Sequence, residues 1–129
     1  MRLLLDTNIY SAMVGGDAAI ESLVQASEGL VISAIVAGEL LHGFRCGNRF
    51  RRNLEQLDSF LEEPQVEFLA VTRSTCDRFG IVMSNLRDLG KPIPSNDAWI
   101  AAHALESGAT LVSRDRHFGF VPGLDLLVP

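Results

Sequence analysis

The stretch SNDAWIAAHALESGATLVSRD, residues 95–115, reads as a helix, a glycine stop, a short apolar strand and an acid in immediate succession. Ser95 suits an N-cap, Ile100, Ala101, Ala104 and Leu105 recur at helical spacing, and Gly108 suits a left-handed stop. A helix is therefore expected over 96–107. Thr110 to Ser113 follow as a strand too apolar to have a wet face, so Asp115 falls just past its carboxyl end. At 100° per residue Asp97 lies between Ala101 and Ala104, near the middle of the arc that should face the sheet.

The same alternation runs outward in both directions. Leu3 to Leu5 is an apolar run stopped by Asp6, Thr7 and Asn8, which predicts a buried strand with an acid at its end. Ile20, Leu23 and Val24 give a helix over 18–26 closed by Gly29, and Leu30 to Ile32 a second strand. Ser33 then caps a helix from Ala34 to about Phe44 that breaks at Gly47. Phe50, Leu54, Leu57 and Leu61 share one helical face that ends before Pro64. Val66 to Val71 reads as a strand, and Arg73 to Leu89 as a helix with Phe79, Val82, Met83 and Leu86 inward, stopped by Gly90 and Pro92. Asp125 to Val128 completes the set. Strands alternating with helices imply an α/β fold: a mostly parallel five-stranded sheet with helices on both faces and a ligand site at the carboxyl ends of the strands.

The 129 residues suit one domain, and 47% hydrophobic with 21% charged residues describes an ordinary globular chain. No apolar run approaches the length of a membrane span, and the start MRLLLDTN has no leader character, so a soluble, cytoplasmic protein is expected. Cys46 and Cys76 lie far apart outside any metal-ligand spacing and read as free, partly buried thiols. A net charge of −5 argues against general electrostatic coating of nucleic acid; a phosphate substrate would need a local basic patch or a bound cation.

Four acids stand where a solvated acid is not expected. Asp6 and Asp115 follow apolar strands, Asp97 lies on a buried arc, and Glu39 falls between Ile35 and Val36 on its helix. Burying an unpaired carboxylate costs several kcal/mol or forces it to protonate. Asp6 and Asp97 could serve only to satisfy helix N-terminal amides, a role that leaves Glu39 unexplained. If the four converge, their repulsion calls for a divalent cation. Carboxylate oxygens without a convergent His or Cys match Mg²⁺ or Mn²⁺ better than Zn²⁺. The chemistry so indicated is hydrolysis by activated water, with no nucleophilic side chain.

LLLDTNIYSAMV, ISAIVAGELLHGF, PIPSNDAWIAAHALESGATLVSRDRHF and VPGLDLL together resemble the PIN-domain ribonucleases of the VapC toxin type, from Leu3 to near the C-terminus and least between Gly47 and Leu89. The resemblance places the family's four acids on Asp6, Glu39, Asp97 and Asp115. It implies a PIN-like three-layer α/β/α sandwich and a Mg²⁺- or Mn²⁺-dependent endoribonuclease that cuts transfer or ribosomal RNA and arrests translation. It also implies a homodimer and a VapB-type antitoxin, the pair able to bind operator DNA.

Around the acids, Thr7, Asn8, Asn96 and Ser113 are placed to support them by hydrogen bonds, although turn and cap chemistry accounts equally for Asn8 and Asn96. Arg114, Arg116 and His117 flank Asp115 and are candidates for phosphate contact. Arg45, Arg49, Arg51 and Arg52 form the one dense basic stretch, three of them near the amino end of a helix finishing in Glu62-Glu63, against the macrodipole at both ends. An external partner, RNA phosphate or antitoxin, would explain that placement; a solvated charged face would too. His103 and Trp99 point away from Asp97 and read as packing or interface residues, and His42 as solvent-facing. Two rival functions are a phosphatase of the haloacid dehalogenase type and a PIN-fold corepressor. The first usually needs an Asp where Asn8 stands and a convincing lysine, and Lys91 is the only one in the chain.

Overall fold

The computed structural model describes residues Met1–Pro129. The elements are β1 (Arg2–Leu5), α1 (Thr7–Val14), α2 (Ala18–Ala26), β2 (Gly29–Ser33), α3 (Ala34–Cys46), α4 (Phe50–Leu61), β3 (Val66–Leu69), α5 (Arg73–Leu89), α6 (Ser95–Ser107), β4 (Thr110–Val112), a 3-10 turn (Arg116–Phe120) and β5 (Leu126–Leu127). The sheet order is β3-β2-β1-β4-β5 with every pairing parallel, so the expected α/β/α architecture stands and no antiparallel edge is present.

Alternation along the strands builds two cores. Leu4, Val31 and Leu111 face the helices that carry Val82, Leu86, Ile100, Ala101 and Ala104. Leu3, Leu5, Leu30, Ile32 and Val112 face the other way, onto Ile9 and Ile20. A strand covered on both faces needs apolar residues at every position, which is why LLL and TLV show no period of two. Chain order reverses beside β1, whose neighbours are β2 on one side and β4 on the other. In an open parallel sheet that reversal leaves a crevice beyond the strand ends, and Asp6 sits at its mouth.

Several expectations need correction. Thr7 and Asn8 open a helix instead of a turn: Asp6 caps α1, and Ile9, Tyr10 and Met13 give it an apolar face. Gly29 lies inside β2, in register with Arg2 of β1, rather than ending α2, which Ser27 closes; a Cβ at Gly29 would stand 3.3 Å from the Gln65 carbonyl oxygen. Pro94, not Ser95, is the N-cap of α6, and its carbonyl accepts from Ala98 at 3.1 Å. β3 ends at Leu69, releasing Ala70 from the ladder. Met83 is exposed, and so are both cysteines, since each lies on an outer helix face.

Candidate active site

Asp6 is buried and well supplied with donors. Its Oδ2 accepts from the Ser113 hydroxyl at 2.6 Å and, at 3.4 Å, from the Asn8 amide; its Oδ1 accepts from the Thr7 backbone at 2.9 Å. Ser113 Oγ in turn accepts from the Asp115 backbone N–H at 3.0 Å, so one hydroxyl ties the ends of β1 and β4 together. The Asn8 side-chain oxygen accepts from the Arg114 backbone N–H at 3.2 Å. Glu39, half-buried on α3, accepts from the Thr7 hydroxyl at 2.8 Å. Three of the four residues expected to support the acids, Thr7, Asn8 and Ser113, are therefore hydrogen-bonded to them. Asn96 is exposed beside Glu39 and His42 in a shallow depression lined also by Ala34, Ile35 and Gly38.

Asp97 is different. It stands half-buried in the first turn of α6, and burial pushes its carboxyl up to about 6, with Asp6, Asp115 and Glu39 all adding repulsion and His117 opposing them. The four acids therefore share one electrostatic site. No three His, Cys, Asp or Glu side chains stand close enough to enclose an ion unaided. The residues that could hold a divalent cation are the four acids. An all-oxygen donor set that leaves much of a coordination shell to water is the chemistry of a small hard ion such as Mg²⁺.

The basic candidates separate by partner. Arg114 is exposed, but its guanidinium is engaged by Asp17 at 2.9 Å. His117 Nδ1 lies 2.7 Å from Asp115 Oδ1, and the His117 backbone N–H also donates to that oxygen. Arg116 is exposed. In the other basic stretch Arg45 stacks 4.2 Å over the Phe50 ring, Arg51 and Arg52 are exposed, and Arg49 occupies the N-cap of α4 without a capping bond. Asp17 was not evident from sequence as part of this region. Its position before Ala18 marks it as a cap, and the Ile20 amide and Arg114 hold its carboxyl below the usual range, but the partner is 97 residues away.

A model of the PIN domain matches residues 3–124. The chain belongs to the PIN-domain family. Among PIN domains its similarity is to VapC proteins. Ribonuclease VapC2 of Rickettsia felis is 30% identical over 131 residues, spanning 98% of this chain and 96% of that protein. The tRNA(fMet)-specific endonuclease VapC of Shigella flexneri is 26% identical over 127 residues, spanning 96% and 95%. The crystal structure of VapBC2 from Rickettsia felis, bound to a DNA fragment from its promoter, contains a chain that superposes with a TM-score of 0.87 at 28% identity, 98% of each chain being covered.

Proposed function

We propose that this PIN domain is an endoribonuclease toxin that hydrolyses structured RNA, transfer RNA or ribosomal RNA, with Mg²⁺ or Mn²⁺, and that Asp6, Glu39, Asp97 and Asp115 are its catalytic and metal-holding residues. The carrying observation is the state of Asp97, pressed by three other acids and reached by no protein donor. A cation held there supplies charge neutralisation and a more acidic attacking water. Ser113 spends its hydroxyl on Asp6 and so positions that carboxylate rather than attacking phosphorus. Thr7 orients Glu39, and Asn8 ties Asp6 to the Arg114 backbone. Asn8 occupies the place where a dehalogenase-type phosphatase would carry its acid/base Asp, which disfavours that reading.

Arg116, with Arg45, Arg49, Arg51 and Arg52, supplies local positive charge for RNA phosphates in a chain of net charge −5. A VapB-type antitoxin is the proposed partner, and the Rickettsia felis complex on promoter DNA favours operator binding by the toxin–antitoxin pair as an additional role. Exposed Ile81, Met83 and Leu89 on α5 support pairing of two copies, and no helix is long and apolar enough to cross a membrane, in keeping with action in the cytoplasm. The test is cleavage of total transfer RNA by purified protein, which should require Mg²⁺ or Mn²⁺, stop with EDTA and be absent in Asp6→Asn. Cleavage that persists in EDTA would overturn the proposal.

A further inference from the structure

His103 is fully buried two helical turns beyond Asp97, and both its ring nitrogens are engaged. Nε2 lies 3.1 Å from the Ala70 carbonyl oxygen, freed where β3 ends, and Nδ1 lies 2.7 Å from Ser33 Oγ. A carbonyl only accepts, so Nε2 must carry the hydrogen. Burial lowers the affinity of the imidazole for a second proton, so the ring is neutral and Nδ1 is an acceptor. The Ser33 hydroxyl therefore donates to Nδ1. This leaves Ser33 Oγ free to accept the Ile35 N–H at 3.1 Å and cap α3. Every donor and acceptor in the chain Ala70–His103–Ser33–Ile35 is satisfied in one arrangement only, since the ring's other tautomer would set the bare Nε2 lone pair against the Ala70 carbonyl oxygen.

The placement of this chain matters. Ser33 begins the helix that carries Glu39, and Glu39 lies six residues further on; His103 lies six residues beyond Asp97. Six residues span roughly 9 Å of helix. The acids repel each other at one end of the α3–α6 contact, and the histidine bond fastens the helices at the other. One turn further along α6, Glu106 accepts from the Thr75 hydroxyl at 2.8 Å and secures the helix to α5. Glu106 is the one ionisable group with an electrostatic influence on His103.

We propose that His103, held as its Nε2–H tautomer between Ser33 and Ala70, is a positioning residue that fixes α6 and Asp97 against α3 and Glu39. The inference rests on the proposed nuclease reading for its catalytic consequence, and on the hydrogen-bond chain alone for its geometry. Gln is the conservative replacement, since its amide offers one donor and one acceptor about as far apart as the ring nitrogens; Leu fills the volume and offers neither.

His103→Leu, His103→Gln and Ser33→Ala are to be compared in the full chain with imidazole ¹⁵N spectra, Mn²⁺ affinity by water relaxation, and kcat and KM on transfer RNA. The wild type should show the Nε2–H tautomer. His103→Leu should lower kcat by up to roughly 100-fold, the cost of a misplacement of about 1 Å passed on from a distant substitution, and lower Mn²⁺ affinity with it, with KM nearly unchanged. His103→Gln should recover most of both, and Ser33→Ala should fall between. An Nδ1–H tautomer, or a folded His103→Leu or Ser33→Ala protein with wild-type Mn²⁺ affinity, would overturn the proposal. If His103→Leu does not fold, Ser33→Ala and the failure or success of the Gln rescue decide it. Wild-type protein that binds Mn²⁺ with the expected variant pattern but cuts no RNA would refute the nuclease reading and leave the clamp standing.

Discussion

The two sides of the acid cluster are built on opposite plans. On the β1/β4 side, Asp6 is enclosed by protein donors from Ser113, Thr7 and Asn8, and its orientation is fixed by the fold itself. On the α6 side, Asp97 sits in the same field with no protein donor and is pushed up to about 6. The first carboxylate is a fixed part of the framework. The second is destabilised when ionised among its neighbours, and a cation would provide the compensation that the protein does not. The difference teaches that a site can be preorganised on one side and left in electrostatic tension on the other, so that binding relieves the tension.

Substituting the two acids should separate these plans most strongly. Asp6→Asn and Asp97→Asn should both reduce cleavage by more than the roughly 10- to 100-fold lost when an outer partner of a metal ligand is removed. Their stabilities should move in opposite directions without metal at pH 7.5. Asp97→Asn removes a repelled charge and should raise Tm, whereas Asp6→Asn disturbs a satisfied network and should lower it. Thermal melts in EDTA check this, and equal shifts would erase the contrast.

Removing the partner instead of the acid should have a smaller effect. Ser113→Ala strips the 2.6 Å bond from Asp6 and the bond from the Asp115 amide, and should cost roughly 10- to 100-fold in kcat. Steady-state cleavage of transfer RNA measures it.

The contrast also has a pH signature. Asp97 binds its proton more tightly folded than unfolded, so its contribution to stability is complete below the ordinary carboxylate range and is lost as pH rises through about 6. Metal-free protein should therefore lose Tm across that interval, and Mg²⁺ should restore part of it above pH 6 but little below. Differential scanning fluorimetry with and without Mg²⁺ reads both arms.

The smallest expected effect lies outside the cluster. Arg51→Ala with Arg52→Ala should weaken RNA binding modestly, reducing the slope of log K against log salt by about 0.7 for each phosphate that is no longer neutralised. Filter binding across a salt series measures it, and an unchanged slope would make these arginines a solvated face.

Much of this was legible in the chain because buried parallel strands and acid-bearing helices leave strong patterns. LLL and TLV could be little else than doubly covered strands, and the wheel positions of Glu39 and Asp97 marked them as acids among apolar neighbours. The α1 helix was missed because DTN fits a turn equally well; the spacing of Ile9, Tyr10 and Met13 before Gly15 was the available signal. Met83 was placed inward by a wheel that could not tell which arc of α5 meets α6. Partnerships across the fold left no local trace. Nothing near Arg114 points to Asp17, and His103 showed only that it faces away from Asp97, not that it reaches Ser33. Such pairings are fixed by how elements dock, which periodicity within one element does not encode.

The most direct test is the ionisation of Asp97 itself, followed by carboxyl ¹³C NMR in protein labelled at aspartate and assigned with Asp97→Asn. Without metal the midpoint should lie near 6, and saturating Mg²⁺ should pull it well below that value. A midpoint in the ordinary carboxylate range that Mg²⁺ does not move would contradict the claim that these four acids form a cation-dependent active site.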